Sequence, residues 1–372
     1  MRKFDSMLDV IREATLVRIP LRAVARPGAR LWAQLELSLP GSMKDRVALS
    51  IIAAAEARGE LQPGGVIVES SSGSMAEGLA RVGTLKGYRV VIVTDPRLDE
   101  MTAAKLRALG AQVEIVEHYD PVGGWQTSRL RRLREVMDTH PGAFWACQYD
   151  SPDNPGAYGE VGEAIARALP DARAIVGCVG TGGSLCGTAR GMRRLAPGLR
   201  VVAVDAAGSV LFNQPDRKRL QSGHGNSVVP GNLDYAAIDE VHWLADNEAF
   251  QGCRELAARA GIFGGGSSGA AYVAASWVAS RLGPQDDVVV ILPDRGDRYH
   301  ASIYSDEFLA ARGLTEPAAS EPLEVRYGAE AVTVWSRALL PRDGSVPYHA
   351  PQSERTADVA RALGLEAAVL AA

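Results

Sequence analysis

A chain of 372 residues, 47% of them hydrophobic, is long enough to bury the cores of two domains. The formal net charge is only -4 and no basic run stands out, which argues against nucleic acid as a partner. No segment stays apolar for the ~18 residues that a membrane span needs, and the N-terminal stretch lacks the apolar run of a signal peptide. We therefore expect a soluble protein without a membrane partner.

The cysteines and histidines argue against both disulfides and metal. The four cysteines lie in apolar or helical surroundings without C-x-x-C spacing, so we expect buried thiols in a reducing cytoplasm. The six histidines never pair at the spacing of metal ligands. The sequence thus predicts a cytoplasmic protein with no metal site.

The first strong helix signal is the stretch Pro-Gly-Ser-Met-Lys-Asp-Arg at 40–46. Ser42 can cap a helix there, with Asp45 closing a capping box, and apolar residues then recur at helical spacing up to Gly59. Lys44 falls at the helix N-terminus, where partial positive charge, together with a position away from water, would lower the pKa of its amine, as a Schiff-base lysine requires. A surface lysine on the first turn is the alternative.

From residue 65 onwards, short β-branched strands alternate with amphipathic helices. Strands are predicted at 66–69, 89–93, 112–116, 143–147, 174–179, 200–204 and 287–292, and helices at 75–86, 102–109, 126–137, 185–195, 248–259 and 270–282. Such alternation indicates parallel sheets covered on both faces. A stretch rich in turn formers at 149–155 divides the pattern, so we expect two α/β domains with a cleft between them.

Three turns rich in glycine and serine lead into helices, at 69–76, 180–184 and 264–269. The second follows a strand directly, and its successive backbone N–H groups can cradle a phosphate. A tight connection without a ligand is the alternative. A dinucleotide site is a rival, because Asp205 follows Gly180 by 25 residues, but Leu185 stands where the third glycine of that fingerprint belongs.

The other two turns offer polar groups for the rest of a ligand. The first presents hydroxyls and backbone donors that can bind a substrate carboxylate, and the third presents Ser267 and Ser268. One such turn would be weak evidence. Three of them, with a helix-start lysine upstream, indicate a phosphorylated cofactor that forms a Schiff base.

These stretches together resemble the fold-type II pyridoxal-phosphate enzymes of the cysteine synthase and cystathionine β-synthase family. Four of them look like family motifs: 40–46 like the cofactor lysine, 71–75 like the substrate loop, 180–184 like the phosphate cup and 266–269 like the pyridine-nitrogen site. They occur in the expected order between about Leu16 and Leu309. The resemblance implies an α/β fold of two doubly wound domains with mainly parallel sheets, similar to the tryptophan synthase β chain.

The resemblance also implies roles for particular residues. Lys44 would hold pyridoxal 5'-phosphate as an internal aldimine and then remove the Cα proton of the substrate. Ser267 would face the pyridine nitrogen, where a neutral hydroxyl keeps the electron sink moderate. The other implied contacts are a phosphate cup of Gly180, Thr181, Gly182, Gly183 and Ser184, Ser74 near the ring hydroxyl, and substrate contacts from Ser71, Ser72, Gly73, Met75 and Gln148.

Within the family, the chain looks most like enzymes that condense O-phospho-L-serine with L-glutamate on the way to 2,3-diaminopropionate for siderophores. By that resemblance Arg129 would bind the carboxylates of the nucleophile, close to Tyr149. A solvated helix face is the alternative for Arg129. We expect a homodimeric enzyme that performs β-replacement on an O-activated L-serine through an aminoacrylate, with an amino-acid or thiol nucleophile.

Three other functions remain open. They are a cysteine desulfhydrase that stops at β-elimination, an O-acetylserine or O-phosphoserine sulfhydrylase, and a catalytically weakened cofactor-binding regulatory protein. The last arises from departures in the substrate loop, where Ser74, Met75 and Ala76 replace the usual Asn, Thr or Leu, and Gly of the family. Because Lys44 and the phosphate cup are intact, we favour an active enzyme.

The resemblance also divides the chain into parts. A small substrate-loop domain is expected at 39–153, and a large cofactor-binding domain from 1–38 together with 154–312. The remaining residues, 313–372, lie outside the resemblance and have no predicted role. Within them, 353–369 are predicted to form a short amphipathic helix.

Overall fold

The computed structural model of the protein describes residues 2–121, 124–328 and 330–341. The helices in these residues are α1 (Met7–Arg12), α2 (Lys44–Arg58), α3 (Ser74–Leu85), α4 (Glu100–Ala108), α5 (Gly124–Thr139), α6 (Asp153–Gly156), α7 (Gly159–Ala168), α8 (Gly183–Arg193), α9 (Asp246–Ala260), α10 (Gly266–Ala279) and α11 (Asp306–Ala310). None of these is long and apolar enough to cross a membrane.

The strands form two separate sheets. They are β1 (Leu16–Ile19), β2 (Arg30–Leu35), β3 (Val66–Ser70), β4 (Arg89–Thr94), β5 (Gln112–Ile115), β6 (Phe144–Trp145), β7 (Ala172–Cys178), β8 (Arg200–Ala206), β9 (Glu240–Leu244), β10 (Asp287–Leu292), β11 (Leu323–Glu324) and β12 (Ser336–Leu339). The smaller sheet has the order β5-β4-β3-β6 and all its pairs are parallel. The larger has the order β1-β2-β10-β7-β8-β9-β12-β11, in which only the pairs β1 with β2 and β12 with β9 are antiparallel. The predicted α/β fold with mainly parallel sheets is confirmed.

Helices cover both faces of each sheet. Successive side chains of a strand point in opposite directions, so alternate residues pack against the helices on opposite faces. In β7, Ile175 packs into the core beneath α7 and α8, whereas Ala174 and Val176 pack into the core beneath α9 and α10. In β3, Ile67 faces α3 and Val68 faces α5. The near-continuous apolar runs of these strands follow from burial on both sides.

Two local predictions differ from the structure. The capping box at the start of α2 is wrong in detail: the Ser42 hydroxyl accepts the N–H of Lys44 at 3.2 Å, and the Asp45 carboxylate accepts the N–H of Gly41 at 2.7 Å. The strand predicted at 143–147 is reduced to β6. It ends there because Cys147 adopts a left-handed conformation, with φ of 43°, which turns the chain out of the sheet.

The segment after residue 313 contributes two strands to the larger sheet. β12 pairs with β9, which would otherwise be an exposed edge, and the indole N–H of Trp335 donates to Nδ1 of His242 at 3.1 Å. This part of the C-terminal segment is therefore built into the fold. The helix predicted at 353–369 lies outside the described residues.

Candidate active site

A cleft lies where the carboxyl ends of strands from both sheets meet, which is where ligands bind in open α/β sheets. Its lining includes these sequence-predicted residues: Lys44, Ser71, Ser72, Gly73, Ser74, Met75, Arg129, Gln148, Tyr149, Gly180, Thr181 and Ser267. The predicted residues Gly182, Gly183 and Ser184 follow directly but do not line the cleft. Residues distant in sequence and on different elements are thus brought together around one space.

Lys44 is the first residue of α2, and its neighbours fix it in place. The Asp45 carboxylate is fully buried and bonds to Arg81 at 2.7 Å. The Arg46 guanidinium bonds to Glu36 at 2.7 Å and reaches the carbonyl of Ile11. These buried contacts of Asp45 and Arg46 explain why charged residues follow the lysine, and they orient the helix start towards the cleft.

The amine of Lys44 is reactive at moderate pH. Desolvation by burial lowers its pKa to about 8, although part of the residue remains accessible from the cleft. The expected lowering is therefore found, with burial as its cause. A lysine with this pKa supplies a substantial fraction of neutral amine for Schiff-base formation.

Removing this amine should stabilise the cofactor-free protein at neutral pH. Below pH 8 the folded state bears the cost of a desolvated ammonium, and that cost disappears as the pH rises from about 8 towards the unfolded pKa of ~10.4. We expect Lys44→Met apoprotein to gain up to about 3 kcal/mol in unfolding free energy at pH 7, with the gain fading by pH 10.

Thermal unfolding of both apoproteins between pH 7 and 10 measures this effect. The exposed Lys218→Met serves as the matched control and should show no pH-dependent gain. A gain for Lys44→Met that stays constant across the pH range would show that the lysine ammonium is not desolvated.

The substrate loop, 71–75, connects β3 to α3 and is tied to the segment that crosses between the sheets. The buried Glu69 carboxylate accepts the N–H of Ser70 at 2.7 Å and the N–H of Gln148 at 3.2 Å. Burial raises the pKa of Glu69 to about 7. Glu69 thereby holds the loop next to Gln148, so that both can present donors to one carboxylate.

The predicted phosphate cup is the turn between β7 and α8. Gly182 has φ of 83°, and a Cβ there would lie 2.6 Å from Cα of Leu233, so both the conformation and the space require glycine. The first N–H groups of α8 have no carbonyl partner within the helix, as in any helix N-terminus. The side-chain amide of Asn154 donates to the Thr181 hydroxyl at 3.1 Å and fixes the turn.

Ser267 lies in the first turn of α10, which begins four residues before the predicted helix start. Its hydroxyl approaches the carboxylate of Asp294 at 3.5 Å, and the other oxygen of that carboxylate accepts the hydroxyl of Tyr299 at 3.0 Å. Asp294 is buried, lines the cleft and has a raised pKa through desolvation. The polar group expected at this position is therefore backed by a carboxyl group that the sequence did not reveal.

Arg129 lies on α5 and differs from the other arginines of its run. Its side chain is 15% exposed, against 54% for Arg131 and 42% for Arg132, and it bonds to the buried Asp95 at 3.1 Å. The solvated-face interpretation therefore fits Arg131 and Arg132 and does not fit Arg129. Tyr149 lies nearby, and the Arg129 charge offsets part of the burial that raises the tyrosine pKa.

Several cleft residues were missed by the sequence analysis. They are Ser42, Met43, Ser70, Pro293, Asp294, Arg298 and the loop Ser222, Gly223, His224, Gly225 and Asn226. Asp294 could have been found, because it follows the end of a predicted buried strand, where site residues concentrate. The loop 222–226 carries two glycines but lies outside the strand and helix alternation, and so gave no comparable signal.

The residues present fit a phosphorylated cofactor bound through a Schiff base. A lysine amine of lowered pKa, a glycine turn at a helix N-terminus and a serine hydroxyl supply the three types of contact that it needs. Lys44, Gly180 and Ser267 all open on the same cleft.

Comparisons with known proteins agree with this fit. A family model described as pyridoxal-phosphate dependent enzyme matches residues 8–294. N-(2-amino-2-carboxyethyl)-L-glutamate synthase from Ralstonia nicotianae is 44% identical over 310 residues, covering 82% of this chain and 91% of that enzyme. The enzyme of the same name from Cupriavidus metallidurans is 39% identical over 312 residues, with coverage of 82% and 91%. The crystal structure of O-ureido-L-serine synthase has a TM-score of 0.74 at 30% identity, covering 83% of this chain and 100% of that one.

Proposed function

This chain belongs to the family of pyridoxal-phosphate-dependent enzymes, and we propose that it catalyses β-replacement on O-phospho-L-serine with an amino acid as the nucleophile. The observation that carries the proposal is the position of Lys44, whose amine of lowered pKa opens on the same cleft as Ser267 and the phosphate turn. The 44% identity to a glutamate-condensing synthase, over 91% of that enzyme, supports the choice of substrates.

The roles of the cleft residues follow from their chemistry. Bound pyridoxal phosphate withdraws electrons from the substrate and makes its Cα proton acidic. Lys44 accepts that proton at Nζ, after which the β-substituent leaves. The substrate loop and Gln148 bind the α-carboxylate through N–H and hydroxyl donors, and Glu69 keeps these two segments together.

The remaining contacts hold the cofactor. Gly180 to Ser184 would bind its phosphate through backbone N–H groups, and Ser74, at the start of α3, would contact the ring hydroxyl. Ser267 would bind the ring nitrogen, and the Ser267 hydroxyl contacts the Asp294 carboxylate at 3.5 Å. Gly182, Gly183 and Ser184 do not line the cleft, so the contact proposed for them rests on the backbone N–H groups at the start of α8.

The leaving group tests the proposal against its alternatives. The purified protein is mixed in turn with O-phospho-L-serine, O-acetyl-L-serine and L-cysteine, while phosphate, acetate and sulfide release and the cofactor spectrum are followed. The proposal expects fastest release from O-phospho-L-serine. Fastest release of sulfide from cysteine would indicate a desulfhydrase. Fastest release of acetate would indicate that O-acetyl-L-serine is the first substrate, as in a sulfhydrylase. No release from any of the three would indicate a regulatory protein.

Arg129 binds the carboxylates of the nucleophile through a guanidinium that Asp95 holds on one side. Charge-assisted hydrogen bonds contribute about 1.5–3 kcal/mol each, so Arg129→Ala should raise the KM of the nucleophile on the order of 10–100-fold. Phosphate release from O-phospho-L-serine alone should change little.

Stopped-flow measurement of the two half-reactions separates these effects. Arg131→Ala, on the same helix but exposed and bonded to Asp120, is the matched control. Equal slowing of both half-reactions by Arg129→Ala, or of neither, would reject the role.

The proposal extends to assembly and organisation. The small domain comprises 39–153 and the large one 1–38 with 154–312, a division supported by the separate sheets. A homodimer is supported by the family resemblance alone. A cytoplasmic location is supported by four buried free thiols, Cys147, Cys178, Cys186 and Cys253. Sedimentation analysis of the purified protein distinguishes a dimer from a monomer.

A further inference from the structure

His224 is a buried titratable residue for which the proposed reaction so far has no use. It lies in the loop 222–226, is 2% exposed and lines the cleft. Neither of its ring nitrogens has a hydrogen-bond partner of normal geometry among the described residues, although the backbone of Ser222 lies close enough to the ring to oppose the lowering of its pKa. Buried polar atoms are nearly always paired, so an unpaired imidazole at a cleft indicates that a ligand completes it.

The loop that carries His224 is held firmly. The N–H of Gly225 donates to the carbonyl of Val179 at 2.8 Å, and the N–H of Asn226 donates to the Ser209 hydroxyl at 3.0 Å. Gly223 and Gly225 both adopt positive φ, of 86° and 68°. The imidazole is therefore presented at a fixed place by backbone contacts on either side of it.

The imidazole is neutral at physiological pH. Burial lowers the pKa of His224 to about 4, and the positive charge of Arg219 acts in the same direction. Asp205 lies behind Gly225, and the Tyr299 hydroxyl lies close to Gly223. A neutral imidazole offers one donor and one acceptor nitrogen, so it can accept a proton.

A second unpaired group lines the same cleft on the side of the smaller sheet. Nε of Arg129 is buried and has no hydrogen-bond partner in the part of the chain that is described. Tyr149 lies between the two sides, because Asn226 of the loop and the charge of Arg129 both lower the pKa of its hydroxyl against the effect of burial. A fixed cation for carboxylates and a neutral acceptor for an amino group together match the two ends of an amino acid.

We propose that His224 accepts the proton that the amino group of the nucleophile must lose before it attacks. An amino acid is largely an ammonium ion at pH 7 and has no free lone pair. As the N–H proton passes to an imidazole nitrogen, the freed lone pair forms the bond to the β-carbon from which phosphate has already left. The electron pair of the Cα–Cβ double bond moves to Cα, which takes back its proton from Lys44. The imidazolium then returns the proton to solvent when the product leaves. This step rests on the proposed β-replacement and assigns it an amine nucleophile.

The carboxylates of the nucleophile assist this transfer. Bound near the imidazole through Arg129, they supply negative charge that favours the protonated ring and so raises its pKa from the value in the free protein. A thiol nucleophile needs no such acceptor, since hydrosulfide attacks as an anion.

The test uses the holoenzyme with His224→Gln and His224→Leu, with O-phospho-L-serine as first substrate and either L-glutamate or sulfide as nucleophile. General-base catalysis contributes on the order of 10²-fold or more, so we expect kcat for the glutamate product to fall about that much at pH 7 and to recover as the pH approaches 9.5. The rates of phosphate release without nucleophile and of the sulfide reaction should change less than about threefold, far below that 10²-fold loss, and the cofactor spectrum should be unchanged. Ser227→Ala, an exposed residue directly after the loop, is the control.

The outcomes separate this inference from the proposed function. Failure of the wild type to release phosphate would overturn the proposed function itself. A wild type that forms the glutamate product while both His224 variants match it would overturn only the role of His224. Equal slowing with glutamate and sulfide, or a loss that does not recover at high pH, would indicate a structural role and overturn the inference as well.

Discussion

Lys44→Ala should abolish the visible absorbance of the covalently bound cofactor and reduce turnover by more than about 10³-fold. The lysine both binds the cofactor and acts as the base at Cα, and general-base catalysis alone contributes about 10²–10⁴-fold. Among the described residues that line the cleft, Lys44 is the one lysine, so no other amine there can bind the cofactor. The helix start should survive the change, because Asp45 and Arg46 keep their buried partners.

Borohydride reduction followed by peptide mapping gives the matching covalent evidence. The wild type should carry the reduced cofactor on the peptide that contains Lys44, and the variant should carry none. Lys105→Ala, a partly exposed lysine outside the cleft, is the control and should retain both label and activity. A variant that labels at another lysine and turns over normally would show that Lys44 has been assigned wrongly.

Gly182→Val should yield a folded protein that no longer retains its cofactor. The substitution forces a β-branched residue to φ of 83° and places Cβ 2.6 Å from the Leu233 backbone, so the turn before α8 must move. Each N–H contact to the phosphate is worth about 1.5–3 kcal/mol, and the loss of two weakens binding on the order of 10³-fold.

Equilibrium dialysis with added pyridoxal phosphate measures that loss, and circular dichroism confirms that the variant is folded. Gly198→Val is the control, since a Cβ at Gly198 meets no atom within 4 Å and its φ is not positive. A Gly182→Val protein that retains its full complement of cofactor and is active would contradict the assignment of the turn 180–184 as the phosphate-binding site.

Much of the fold was predictable because its signals are local. The alternation of apolar strands and amphipathic helices indicated parallel sheets, and the rule that ligands bind at the carboxyl ends of such strands indicated a cleft. Lys44 and the turn 180–184 were recognisable because a helix start and its flanking residues are adjacent in sequence.

The rest depends on contacts between residues distant in sequence. His224 is buried because its loop bonds to Val179 and Ser209, and Asp294 reaches Ser267 because the end of β10 packs on the start of α10. The pairing of β12 with β9 joins residues almost a hundred positions apart. The periodic spacing of apolar residues along a strand or a helix does not contain information about such long-range contacts.

The nitrogen of the nucleophile provides the most direct test of the central claim, β-replacement on an O-activated serine. The protein is incubated with O-phospho-L-serine and ¹⁵N-labelled L-glutamate, and the products are analysed by mass spectrometry. We predict a condensation product that retains the ¹⁵N of glutamate in its new carbon–nitrogen bond, with an equal amount of phosphate released. Release of phosphate with pyruvate and unlabelled ammonia, unaffected by glutamate, sulfide or any other nucleophile, would contradict β-replacement and leave only elimination.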